Sequence, residues 1–150
     1  MALKVKKSLI PGAGKGLFTT KAIKKGEQII EYLGEIIEWN EYKKRVDKDQ
    51  DGYLFFINRK CCIDAFNTPQ HIARYANDAA GLTRVKGLTN NSEYVITDKT
   101  KCFVVAKKNI NAGDEILVSY SKDYWKCVRY NLKLKERQNK IVSTLTKLKK

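Results

Sequence analysis

Apolar residues come in short bursts along most of this chain and as a long-period stripe only near its end. Runs rich in Ile, Val, Phe and Tyr recur at 28–32, 53–57, 61–64, 93–97, 102–106 and 116–120, each bounded by Gly, Asn, Asp or Lys. Short β-branched and aromatic runs between turn formers predict strands. Residues 39–46 read as a short helix, and the polar stretch 47–52 as a turn. Near the end the period changes. Leu134, Ile141, Leu145 and Leu148 follow one another at spacings of seven, four and three, with Lys and Arg between them. That is one apolar stripe on a helix. A basic amphipathic helix of this kind docks most commonly on its own domain. The pattern predicts a mainly β domain over 1–125, with a basic helical extension over 126–150 packed on or beside it. Many short strands and few helices argue against a doubly wound nucleotide-binding fold.

Composition narrows the class. A chain of 150 residues, 43% hydrophobic, has room for one continuous core. It has no apolar run of membrane-spanning length, and its start, Met-Ala-Leu-Lys-Val-Lys-Lys, has no signal-peptide core. An intracellular protein is expected, with cytoplasm, nucleoid and nucleus equally open. Cys61, Cys62, Cys102 and Cys127 form no C-x-x-C pair, and His71 is the only histidine. Free thiols in a reducing compartment are expected, and no metal site.

The net charge of +14 is unevenly placed. Residues 1–25 hold seven Lys and no acid, and residues 126–150 hold nine basic residues and one acid. The middle hundred hold fourteen basic and fifteen acidic residues. Two basic ends flank a neutral body. Such ends attract polyanions, nucleic acid above all. A lysine-rich surface that only keeps the protein soluble explains the same charge equally well.

Three stretches carry candidate chemistry. Residues 11–18 read Pro-Gly-Ala-Gly-Lys-Gly-Leu-Phe. Alternating glycines let a backbone turn sharply and approach a ligand. The spacing fits neither the dinucleotide fingerprint nor the phosphate loop, because Leu17 stands where the first needs Gly and Gly16 where the second needs Ser or Thr. Alone it is a hairpin turn. Asn77-Asp78 in Arg74-Tyr75-Ala76-Asn77-Asp78 is, alone, an ordinary turn as well. The third stretch, 113–120, ends in Tyr120, one of eight tyrosines, with Tyr124 and Trp125 close behind.

In this order the three stretches resemble the signature of SET-domain protein-lysine methyltransferases. The glycine loop, the Lys25-Gly26-Glu27 turn and Tyr32-Leu33-Gly34 look like that family's opening. Ile63-Asp64-Ala65 followed by Ala73–Asp78 resembles "Ile-Asp-Ala … Ala-Arg-Phe-x-Asn-His-Ser", with Asp78 in place of the histidine. Asn91 looks like the asparagine of the element that follows, and 114–120 resembles "Gly-Glu-Glu-Leu-x-x-Asp-Tyr", with Ser119 for the Asp. The resemblance runs from about residue 4 to residue 125 and is nearest to a compact viral form without the zinc clusters that flank many members. It implies several short sheets with a knot-like C-terminal crossing.

It also implies a site. Lys15, Gly16, Leu17, Tyr53, Arg74, Asn77, Asp78, Tyr120 and Trp125 would contact S-adenosyl-L-methionine, which leaves as S-adenosyl-L-homocysteine. Tyr120 would be the catalytic tyrosine, and Tyr53, Tyr124 and Val118 would line the lysine channel. The demand for aromatics is chemical. The nucleophile must be a neutral amine, yet free lysine has a pKa of about 10.4. An apolar channel disfavours the ammonium form, and tyrosine faces tolerate the cationic product. The expected function is methyl transfer to a lysine of a protein, of a chromatin-like, nucleic-acid-associated or ribosomal kind. The alternative is a catalytically silent module that binds nucleic acid through its basic ends. No membrane partner is expected, and oligomeric state is open, a dimer included.

Overall fold

The computed structural model describes residues 2–48 and 52–149. They form two compact units, the first running to Ser119 and the second beginning at Tyr120.

The first unit contains three small antiparallel sheets. β1 (Leu3–Lys7) pairs with β2 (Lys15–Thr19). β3 (Gln28–Glu31) and β7 (Ser92–Asp98) flank β8 (Lys101–Ala106). β4 (Glu35–Glu38) and β5 (Leu54–Phe56) flank β6 (Cys61–Asp64). A helix, α1 (Trp39–Asp47), follows β4, and a 3₁₀ turn spans Ile72–Tyr75. Five of the expected strands and the short helix are present within a residue or two of their expected ends. β1, β2 and β4 are additions. The polar turn expected at 47–52 falls largely on residues 49–51, outside the described residues.

Alternation sets the faces. In β8, Cys102, Val104 and Ala106 are buried while Lys101, Phe103 and Val105 face outward or partly so. That is the period of two of a half-buried strand. The core gathers Tyr32, Ile57, Ile63, Ala65, Ala73 and Cys102. Aromatic rings join two of the sheets here. Tyr32, just after β3, lies edge-on to Tyr94 of β7 at 5.8 Å, and Phe55 of β5 meets Tyr94 at 4.6 Å. Such pairs add about 0.5–1.5 kcal/mol beyond their buried area. The Tyr32 hydroxyl donates to the Tyr53 carbonyl at 3.0 Å, and burial holds its pKa well above the usual phenol value. All four cysteines are free thiols. Burial pushes Cys102 up to about 12, which keeps it protonated at neutral pH.

Arg45 of α1 is the bracket that holds the helix to its sheet. Its guanidinium reaches Asp64 on β6, Glu35 on β4 at 2.6 Å and Glu41 within α1 at 3.2 Å. The Asp64 side chain is fully buried, so its charge needs this partner. The second Asp64 oxygen accepts from Phe66 N at 2.8 Å. Gly34 belongs to the same place. A Cβ there would lie 2.6 Å from the Asp64 carbonyl carbon and 2.9 Å from Ala65 N.

The second unit is one helix, α2 (Lys122–Leu148), preceded by Tyr120 and Ser121. None of its residues is buried. Its residues Leu134, Ile141, Leu145 and Leu148 are all exposed, from 36% to 78%. No described helix is long and apolar enough to cross a membrane.

Gly34→Ala presses a methyl group against backbone that cannot retreat. The expected loss is about 1–3 kcal/mol, seen as a melting temperature lower by roughly 3–10 °C in a thermal unfolding scan. An unchanged melting temperature would refute the close approach.

Candidate active site

A buried carboxylate lies beneath the connection between β1 and β2. Glu115 is 2% exposed. Its Oε1 accepts from Ser8 Oγ at 2.7 Å and from Asn77 Nδ2 at 3.2 Å, and its Oε2 accepts from Leu9 N at 2.8 Å. No described Lys or Arg forms an ion pair with it. Donors alone balance the charge, and a carboxylate that accepts several hydrogen bonds is well served by them. Gly16 is a glycine because of this group. A Cβ at Gly16 would lie 2.9 Å from Glu115 Cδ and closer still to Oε1.

Asn77 follows the 3₁₀ turn and links two segments. Besides Glu115, its Nδ2 donates to the Lys15 carbonyl at 2.9 Å. Both partners are acceptors only, so chemistry fixes which end of the amide faces them. Its own carbonyl accepts from Val118 N at 2.8 Å. Asn91 completes the arrangement from the other side. Its Nδ2 donates to the Glu115 carbonyl at 2.7 Å, and its Oδ1 accepts from Leu117 N at 2.9 Å. Asn91 N and Ser92 N both donate to the Leu117 carbonyl, at 2.9 and 3.0 Å.

Residues 115–118 therefore run between residue 77 on one side and residues 91–92 on the other. The strand expected at 116–120 is instead a string of isolated bridges, Phe18↔Glu115, Asn77↔Leu117 and Ser92↔Val118. The reason is physical: its partners belong to three separate segments, so no continuous ladder forms on either edge.

Arg74 forms a second group. Its guanidinium lies 3.5 Å from the centre of the Tyr53 ring and 5.3 Å from that of Tyr75. Nη1 donates to the Ala65 and Phe66 carbonyls at 2.6 and 3.0 Å. Arg74 Nε is buried and has no acceptor. Lys15 Nζ stands 5.5 Å from the Tyr75 ring centre.

Asp78 is buried, and its Oδ1 accepts from Ala80 N at 2.8 Å and Asn90 Nδ2 at 2.7 Å. It thus pins both ends of the loop 79–90. That accounts for a carboxylate where the family signature has a histidine: the side chain folds its own loop. Leu17 and Val118 are fully buried in the first unit. Tyr120, Tyr124 and Trp125 belong to the second unit and cluster there. Tyr120 and Trp125 are near-parallel with centres 5.8 Å apart, and Tyr124 meets each edge-on at 5.1 Å.

A glycine loop, an Asn-Asp turn and a Gly-Asp-Glu segment meeting at one carboxylate match a known domain. The SET domain profile covers residues 14–121. The chain belongs to the SET domain family. Among curated SET relatives, it is 27% identical over 124 residues to N-lysine methyltransferase KMT5A of Xenopus tropicalis, covering 77% of this chain and 35% of that protein. It is 27% identical over 119 residues to histone-lysine N-methyltransferase ASHH1 of Arabidopsis thaliana, covering 76% and 23%. This SET chain spans about a third or less of the length of these relatives. Among solved structures, a humanized mutant of the Chaetomium thermophilum Polycomb Repressive Complex 2 bound to an inhibitor superposes with a TM-score of 0.66 at 29% identity. That match covers 80% of this chain and 15% of the other.

Within the SET unit, the structure brings Lys15, Gly16 and Asn77 together, and separately Tyr53 with Arg74. Sequence reasoning missed Glu115, Ser8 and Tyr75. Glu115 falls on the second Glu of the "Gly-Glu-Glu-Leu" signature, and that match is the signal that could have found it.

Gly16→Ala forces the Glu115 carboxylate off its donors. A stability loss of about 1–3 kcal/mol is expected, and Glu115→Ala in the same protein should make the alanine at 16 nearly harmless. Additive losses in that double-mutant cycle would contradict the contact.

Proposed function

We propose that this SET domain transfers a methyl group from S-adenosyl-L-methionine to a lysine amine of a protein. The single observation that carries the reading is the polar node: Asn77 donates at once to Lys15 of the glycine loop and to Glu115 of the third motif. Three segments far apart in sequence are held there for a purpose beyond packing.

The residues fit the cofactor. Arg74 Nε is a buried donor with no protein acceptor, the kind of group a ligand carboxylate satisfies. Gly16 leaves its backbone bare beside Asn77. We assign the amino-acid end of the cofactor to Lys15, Gly16, Leu17, Arg74 and Asn77, the first three through their backbone. The adenine end we assign to Asp78, through its backbone. S-adenosylmethionine supplies the methyl group as an electrophilic sulfonium.

The chain's own contribution is to hold and prepare the amine. Within the SET unit we assign Tyr53 to the wall of the lysine channel, where an aromatic face that excludes water favours the neutral amine. Tyr120 aims its lone pair, and alignment of this kind is a large part of the rate. The substrate we expect is a basic segment of a chromatin-like, nucleic-acid-associated or ribosomal protein. The names of KMT5A, an N-lysine methyltransferase, and ASHH1, a histone-lysine one, support the lysine acceptor, and the second supports a chromatin-like substrate.

A second reading has one observation behind it. α2 carries eight basic and two acidic residues and buries none of them. A helix so charged suits a nucleic-acid partner, whether or not the domain is catalytic.

Titration calorimetry with S-adenosylmethionine separates these readings. Binding that weakens about 10-fold or more in Asn77→Ala supports the cofactor site. Tyr120→Phe should then keep cofactor binding and lower methyl transfer to a basic peptide roughly 10²-fold. Absence of cofactor binding by the wild type, with and without that peptide, refutes the enzyme reading and leaves the nucleic-acid one.

A further inference from the structure

The Asn77 amide has two protons, and both are committed. One goes to the Lys15 carbonyl and the other to Glu115 Oε1. What Asn77 has left to offer a ligand is Oδ1, an acceptor. An acceptor beside a buried carboxylate selects a cation. The proposed cofactor carries one at this end, the ammonium of its amino-acid part.

We infer that Glu115 is a positioning residue: its carboxylate locks the Asn77 amide so that an acceptor faces the ammonium of the bound cofactor. This rests on the proposed function and adds a residue to it. Three features converge. Glu115 is nine-tenths buried and more, with its charge balanced by donors and no described cation. Its other two donors, Ser8 Oγ and Leu9 N, fix the carboxylate from the far side. Gly16 leaves out a Cβ that would push it away.

Chemistry says why a carboxylate is needed and an amide will not do. All three groups around Glu115 donate to it. A glutamine would have to turn its NH₂ toward Leu9 N–H or toward Asn77. In the first case two donors oppose each other, and the side chain turns away and loosens its hold on Asn77. In the second, Asn77 flips, the Lys15 carbonyl loses its donor, and an NH₂ meets the ammonium. Either way, discrimination for the charged ligand falls.

The test compares two ligands that undergo no turnover: S-adenosylhomocysteine, and its analogue with the α-amino group replaced by hydrogen. Wild type should bind the first about 10-fold or more tighter, the usual scale for a charge-assisted hydrogen bond. In Glu115→Gln that preference should shrink to about 2-fold, while affinity for the deamino analogue stays within about 2-fold of wild type. The same factor of loss for both ligands would mean a merely structural role and overturn the inference. So would a wild type with no preference for the amine. Wild type that binds neither ligand refutes the cofactor reading itself, and this inference with it. If Glu115→Gln does not fold by circular dichroism, Glu115→Asp, one methylene shorter, takes its place with the same expected loss of preference. If neither folds, Glu115 serves the fold itself and the inference is overturned.

Discussion

The structure of the SET unit depends on burying one negative charge without a cation. A buried carboxylate is costly unless its lone pairs are filled. Glu115 fills them from two directions at once, the β1–β2 connection through Ser8 and Leu9, and the turn after the 3₁₀ segment through Asn77. Neither segment touches the other's chain neighbourhood in sequence. Each satisfies part of the charge, so one carboxylate ties the two segments to residue 115. Gly16 follows from that requirement, as does the passage of 115–118 between residues 77 and 91–92.

Asp64 poses the same problem and solves it differently. Also fully buried, it takes a cation, Arg45, which is shared with Glu35 and Glu41. The hydrogen bond to Asp64 is the chief cause that drives the Arg45 pKa upward, and the guanidinium stays charged throughout. This pairing fastens α1 to the β4–β6 sheet, and its role ends at stability. A cation near Glu115 would neutralise the field a ligand ammonium is drawn to. The contrast between the two carboxylates separates a bracket from the proposed ligand site.

Most of the sheets were legible because their signal is local. Residues 61–64 and 102–106 are apolar, β-branched or aromatic in part, and bounded by polar residues. β1 hides its alternation among lysines, Leu3 and Val5 between Lys4, Lys6 and Lys7, and so reads as a basic tail. β4, Glu-Ile-Ile-Glu, is too short for any period to show, and its register comes from pairing with β6. The site was legible only as a family pattern. Nothing near Asn77 in sequence says that its amide protons go to residues 15 and 115. Those partners lie 62 and 38 positions away. Asp78 shows the opposite case, where its partners Ala80 and Asn90 sit in the loop it closes.

The second unit contains its own sign of constraint. Ser121 has φ +81° and ψ 156°, a conformation that glycine tolerates and serine rarely adopts. It is the one described non-glycine residue with positive φ. Strain of this order costs about 1–3 kcal/mol. Its hydroxyl accepts from Tyr124 N at 3.3 Å and caps α2, which recovers part of that cost. The kink falls between Tyr120 and the helix that carries Tyr124 and Trp125. The unusual backbone thus sits where a helix cap and a ring cluster meet, and a tyrosine proposed to aim a lone pair needs a fixed direction more than it needs a comfortable neighbour.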